Sequence, residues 1–348
     1  MTTDKGRAMD FNRFNSPKRK VITLSQQSLV KTSYLNPGQF PLVIEPAVDK
    51  LDPVVWANKA RDFIETELLK HGALLFKNFA INSVSDFESF VRAMSPALLE
   101  YQERAAPRLQ IAKNIYTSTE YPSEQCIPFH HEMSYSHNWP MKIWFYCDVP
   151  AAAGGATPIA NDRVVFKALD QRIKDPFMRK NVMYTRNYGH GIDITWQNAF
   201  QTSDQSEVEA YCRAARIQFE WTTGDRLRTR QVRPPVTVHP KTGETVWFNH
   251  AHMFHVSNVE KNLLESLLAE LTEEYLPRNA YYGDGTPIET SILDEIRQTY
   301  IHTAVTVPWQ KGNVLMLDNV LASHGREPFV GPRKILVALA ELHTSNHI

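Results

Sequence analysis

Cysteine is scarce in this chain: three residues in 348, at positions 126, 147 and 212. They lie far apart, so neither a disulfide framework nor a paired-cysteine zinc motif can be drawn, and a reducing, cytoplasmic setting is expected. Charge of one sign is lacking too. Lys+Arg and Asp+Glu both number 38, without the basic surplus of a nucleic-acid binder. No run of about 18 apolar residues occurs, so no membrane span is expected. Residues 1–19 are polar and basic with no apolar segment, and read as a flexible tail rather than a secretory signal. Repeats and low-complexity linkers are also missing, so residues 20–348 read as a single domain. A composition of 43% hydrophobic and 22% charged residues is that of a globular protein with a large core.

The chain begins with a mixed texture. Residues 21–24 and 42–45 are candidate strands. Trp56, Ala60, Phe63, Ile64 and Leu68 recur at helical spacing over 54–70, with Gly72 as the stop. A buried strand is expected at 73–79, then a helix opened by Ser83. From residue 110 short β segments dominate: 111–119, 127–135, 142–147, 154–160, 182–186, 218–232, 235–238, 245–249, 314–318 and 334–342. Helical insertions are expected at about 164–180, 196–216 and 260–300, the second with a capping box at Ser206 and Glu209. Many short strands interrupted by helices favour a barrel or jelly roll over a parallel α/β sheet. The Gly-Gly-Ala-Thr at 154–157 lacks the Gly-Lys-Ser/Thr ending of a phosphate loop and runs into a strand.

Pro128-Phe129-His130-His131-Glu132-Met133-Ser134-Tyr135 is the stretch with most chemistry. On an extended strand His130 and Glu132 share a face and His131 takes the other. One further histidine would complete the two-histidine, one-carboxylate set that holds non-haem Fe(II) with three positions open. The zincin pattern H-E-x-x-H fails because its second histidine falls at Tyr135. The zinc deaminase pattern fails for want of P-C-x-x-C. The plain alternative is a surface histidine pair beside an acid. His324 ends an apolar strand and turn, and is either the third ligand or a packed histidine. Arg333 follows nine positions on, entering the next strand. An Fe(II) oxygenase needs an electron donor, and 2-oxoglutarate would chelate the iron while its far carboxylate met a planar, bidentate arginine. The plain alternative for Arg333 is a structural ion pair, as it is for Arg326. His250 and His252 could share a face of the strand from Thr245, but no carboxylate accompanies them. Tyr135, Ser118 and Asn249 are further candidates for pocket walls.

The order H-x-E, G-G-A-T, then H-G-R-x-P-F-x-G-x-R resembles the taurine-dioxygenase-like Fe(II)/2-oxoglutarate oxygenases. It is most similar to the branch with clavaminate synthase and the syringomycin-biosynthesis-type hydroxylases. The resemblance covers roughly residues 70–342. It implies a mainly β fold, a double-stranded β-helix (jelly roll) core with flanking and inserted helices. It implies His130, Glu132 and His324 as iron ligands, and Arg333 with Thr157 as partners of the distal carboxylate of 2-oxoglutarate. With O2 as oxidant, the implied activity is a dioxygenase that hydroxylates a C–H bond of an amino acid or a carrier-protein-bound aminoacyl group, in natural-product biosynthesis. Desaturation or cyclisation at the same site is the alternative chemistry, and a non-catalytic β-barrel binding a metal or small molecule the alternative class. The resemblance breaks at Val337, where the namesake carries a second arginine for its sulfonate substrate. A homodimer is one option for the oligomeric state.

Overall fold

The computed structural model describes residues 25–100, 103, 105, 108–119, 121–189 and 194–345. The tail expected at 1–19 and the strand expected at 21–24 lie outside the described residues. Two sheets face one another to make the jelly roll. The larger has eight strands in the order Val30–Tyr34, Leu42–Pro46, Ala73–Phe76, Val314–Asp318, Asn138–Val149, Lys334–Thr344, Ile115–Thr117 and Gln110–Ala112. The smaller has four, in the order Val305–Val307, Thr157–Asn161, Ala322–Arg326 and Ile127–His130.

The near-continuous apolar run of Asn138–Val149 follows from burial on both faces. Ile143, Phe145 and Cys147 point inward and pack with Leu315, Leu317, Ile335, Val337, Leu339 and, from the smaller sheet, Ile159 and Ala322. Trp144 and Tyr146 point outward and are covered by Trp56, Leu68, Phe87 and Phe90 from the N-terminal helices. Those helices are Pro53–Lys59, Arg61–His71 and Val84–Met94. The periodic stretch 54–70 is thus two helices, broken at Ala60, whose φ of −99° and ψ of 10° leave the helical region. Gly72 ends the second at φ 79°, a left-handed conformation that glycine adopts at little cost.

Further helices lie at Asp162–Ala168, Gln171–Lys180, Trp196–Phe200, Gln205–Ala214, Lys261–Glu270 and Thr290–Thr303. The segment expected to be helical over 260–300 also contains a strand, Arg278–Tyr282. It joins Val182–Tyr188, Arg226–Arg233 and Gln218–Thr222 in a third, four-stranded sheet. The single strand expected over 218–232 is therefore a hairpin, turned through Gly224 at φ 79°. The cap of Gln205–Ala214 is Asp204, which accepts from the Ser206 N–H, and the Ser206 capping box does not form. No helix among the described residues is long and apolar enough to cross a membrane.

Candidate metal centre and co-substrate cavity

His130 is the last residue of its strand, and His324 sits directly opposite it on the neighbouring antiparallel strand. Their ring centroids are 4.3 Å apart. Glu132 is not on the strand. The chain leaves the extended conformation after His130, and Glu132 lies in a turn followed by Met133 at φ 63°. The carboxylate reaches the histidine pair through that turn and not by strand alternation, which corrects the strand expected over 127–135. His131 does point away, with its Nε2 3.1 Å from the Asp162 carboxylate in the core.

Donor atoms of His130, Glu132 and His324 all lie within 4.8 Å of one another, and the three residues are buried. They form the sole such cluster of potential metal ligands among the described residues. His130 donates from Nδ1 to the Pro128 carbonyl at 2.9 Å. A carbonyl can only accept, so the tautomer is set and Nε2 keeps its lone pair. His324 Nδ1 is buried without a hydrogen-bond partner. His324 Nε2 is not buried in this way, which leaves that nitrogen open as the donor. Burial holds the His130 imidazole below its usual range, against the opposing pull of Glu132. Burial, then the neighbouring His130, holds His324 well below it. Both rings are therefore neutral at pH 7, the form that ligates. The residues present fit a divalent metal with mixed N/O ligands.

Two residues that the sequence did not single out hold Glu132, one at its carboxylate and one at its backbone. Arg108 places Nη2 2.7 Å from Glu132 Oε2, and both side chains are 4% exposed. Asn319 clamps the Glu132 backbone. Neither stands in a recognisable pattern, because both act across 24 and 187 positions of chain.

A cavity runs from the histidines to Arg333. Its inner part is lined by Arg108, Thr119, His130, Phe145, Thr157, His324, Arg333 and Val337. It continues into an outer space of about 440 Å³ that includes Ser118, Tyr121, Arg326, Phe329 and Arg333. Arg333 donates from Nε to the Gly155 carbonyl at 2.8 Å, and no carboxylate among the described residues forms an ion pair with it. A Cβ on Gly155 would come within 3.0 Å of Arg333 Cδ and 2.9 Å of Phe329 Cβ. Glycine, here at φ 71°, lets the arginine lie against the bend. Burial, then the Arg326 guanidinium, pulls Arg333 down to about 10, so it remains cationic at pH 7. Thr157 Oγ1 accepts from the Trp309 indole N–H at 2.9 Å, which leaves its own hydroxyl proton to donate.

Among the described residues Arg326 makes no ion pair. It donates to the carbonyls of Tyr121, Pro122 and Gln125, pinning the loop at the cavity mouth. The second histidine cluster also differs from expectation. The strand ends at Trp247, and His250 precedes a short helix, Ala251–Phe254. His250 Nδ1 meets Ser134 Oγ at 2.5 Å and His252 Nε2 donates to the Phe129 carbonyl at 2.7 Å. Burial lowers His252 to about 3. Of the other candidate wall residues, Ser118 lines the cavity. Asn249 is tied to the Pro235 carbonyl and Tyr135 to that of Glu103.

A family model described as taurine catabolism dioxygenase TauD, TfdA family, matches residues 36–339. The chain belongs to that family. The dioxygenase uses Fe(II) and 2-oxoglutarate, with O2 as oxidant. It is 41% identical over 278 residues to the dapdiamide synthesis protein DdaC of Enterobacter agglomerans, covering 80% of this chain and 84% of that protein. It is 30% identical over 296 residues to a clavaminate synthase-like protein of Arabidopsis thaliana, covering 81% and 85%. Among solved structures the dioxygenase is similar in fold to PvcB from Pseudomonas aeruginosa, at TM-score 0.53 and 16% identity over 91% of this chain and 92% of PvcB. AAD-2 in complex with Mn(II) and N-oxalylglycine gives TM-score 0.53 at 14% identity, covering 92% and 99%.

Proposed function

We propose that His130, Glu132 and His324 hold the Fe(II), that Arg333 and Thr157 hold the distal carboxylate of 2-oxoglutarate, and that the enzyme hydroxylates a C–H bond of an amino acid or a carrier-protein-bound aminoacyl group. The observation that carries this reading is the cavity itself. Two of the three clustered metal donors, His130 and His324, line it, and on the same wall stands a cationic arginine without an acidic partner among the described residues. A dicarboxylate with a keto group beside one carboxylate fits a metal at one end and a guanidinium at the other.

When bound, iron with 2-oxoglutarate and O2 supplies an oxidant able to take hydrogen from an unactivated C–H bond, with succinate and CO2 as co-products. The protein supplies the rest. The Pro128 carbonyl orients His130. Arg333, braced on Gly155, and the Thr157 hydroxyl hold the far carboxylate. Phe145, Ile335 and Val337 make an apolar wall. Val337 stands in that wall and offers no charge to a sulfonate. An amino-acid-derived substrate is favoured by that apolar wall and by the 41% identity to a protein of dapdiamide synthesis. The same relative supports a role in natural-product biosynthesis. A cytoplasmic setting agrees with free, dispersed cysteines, two of them buried.

The test is an incubation with Fe(II), 2-oxoglutarate, O2 and a panel of amino acids, free and tethered to a carrier protein. Iron-dependent succinate with a product heavier by one oxygen supports hydroxylation. A loss of two hydrogens identifies desaturation or cyclisation instead. No iron-dependent succinate with any substrate would leave only a binding role.

A further inference from the structure

The pairing of Arg108 with Glu132 goes beyond the ligand set. Their 2.7 Å contact is buried on both sides. Arg108 also reaches Thr119 Oγ1 at 3.3 Å and lines the inner cavity beside His130 and Arg333. It therefore faces the place where the co-substrate would chelate, and does not merely back the site. Glutamate has one methylene more than aspartate, and its longer side chain can swing to present both oxygens to a metal. Two histidines and one carboxylate oxygen leave three positions open on a six-coordinate ion. A second carboxylate oxygen would take one of the positions that a bidentate 2-oxo acid and O2 require.

We propose that Arg108 is a positioning residue that holds Glu132 Oε2 and so limits the carboxylate to one metal-binding oxygen, while balancing its charge before metal arrives. The inference rests on the iron assignment above. Two physical arguments support it. For Glu132 to offer both oxygens, a buried charge-assisted hydrogen bond must break, and such bonds are among the stronger ones in proteins. In the metal-free chain, a buried carboxylate stripped of its cationic partner is strongly unfavourable. Arg108 therefore stabilises the empty site more than the loaded one.

The experiment compares wild type, Arg108→Met and Arg108→Lys, each prepared metal-free. Three quantities are read: Mn(II) affinity by calorimetry, melting temperature with and without Mn(II), and the visible charge-transfer band of the anaerobic Fe(II)–2-oxoglutarate chelate at saturating co-substrate. Arg108→Met should bind Mn(II) at least as tightly as wild type and gain more melting temperature from Mn(II). It should also lose most of the band and bind 2-oxoglutarate more weakly, because a second carboxylate oxygen competes for one of the positions that the 2-oxo acid needs. Arg108→Lys keeps the charge without the planar fork and should fall between. If Arg108→Met does not fold, the lysine variant decides by the same split between retained metal and a weakened band. A full band at saturating 2-oxoglutarate, or loss of Mn(II) binding, overturns the proposal. Wild type that binds neither Mn(II) nor Fe(II) would overturn the iron assignment itself, a separate failure.

Discussion

Asn319 and Glu132 stand 187 positions apart and exchange two hydrogen bonds: the Glu132 N–H donates to Asn319 Oδ1 at 2.8 Å, and Asn319 Nδ2 donates to the Glu132 carbonyl at 2.9 Å. Asn319 Nδ2 also reaches the Pro140 carbonyl at 2.8 Å. One fully buried amide thus ties the turn carrying Glu132 to the end of the Val314–Asp318 strand. Asn319→Ala leaves a backbone N–H and two carbonyls without this partner, and should cost about 2–4 kcal/mol. Denaturant unfolding measures the loss. Metal affinity should fall with it, because the turn that presents Glu132 loosens; a variant as stable as wild type would refute the clamp.

The His324 ring lies 4.3 Å from that of His130 between centroids and lines the inner cavity, in the place of a metal ligand. His324→Ala should abolish turnover and remove most of the metal content after dialysis, measured by metal analysis. Wild-type iron binding and activity in that variant would remove His324 from the ligand set.

Arg333→Ala should raise the 2-oxoglutarate KM by well over tenfold, because removing one partner of a buried charge-assisted contact costs about 2–5 kcal/mol. The loss should fall mainly on co-substrate binding, since Arg333 lies along the wall from the histidines and not among the metal donors. An unchanged KM would assign the far carboxylate to another cation, with Arg326 the nearest alternative on the wall. Arg326, however, is committed to three loop carbonyls.

Chloride should not enter the product. Halogenases of this superfamily resemble H-x-A or H-x-G at the carboxylate position, and here Glu132 occupies it. With chloride present, substrate should still gain one oxygen or lose two hydrogens, read by mass. A chlorinated product would refute the role given to Glu132.

The strand strings, the insertions and the order of the motifs were legible in the residues, because apolar periodicity and glycine bends are local properties. His130, His324 and Arg333 could be singled out as chemistry-bearing residues beside recognisable turns, and Thr157 entered only through the order of the motifs, which is also a property of the sequence alone. Sequence alone placed Glu132 with His130 by assuming an extended strand, and arrived at the right neighbours by the wrong route. The left-handed Met133 and the Asn319 clamp build that proximity, and the clamp acts across 187 positions. The break at Ala60 and the hairpin within 218–232 were hidden because continuous periodicity does not register a single-residue break or a tight turn. Arg108 and Asn319 had no signature at all. Their meaning comes from what lies beside them once the sheets close, and a guanidinium or an amide becomes specific only when burial removes water as its partner. The residue types determined what chemistry was available; the closure of two sheets around the cavity decided that Arg108 meets Glu132 while Arg333 faces the cavity.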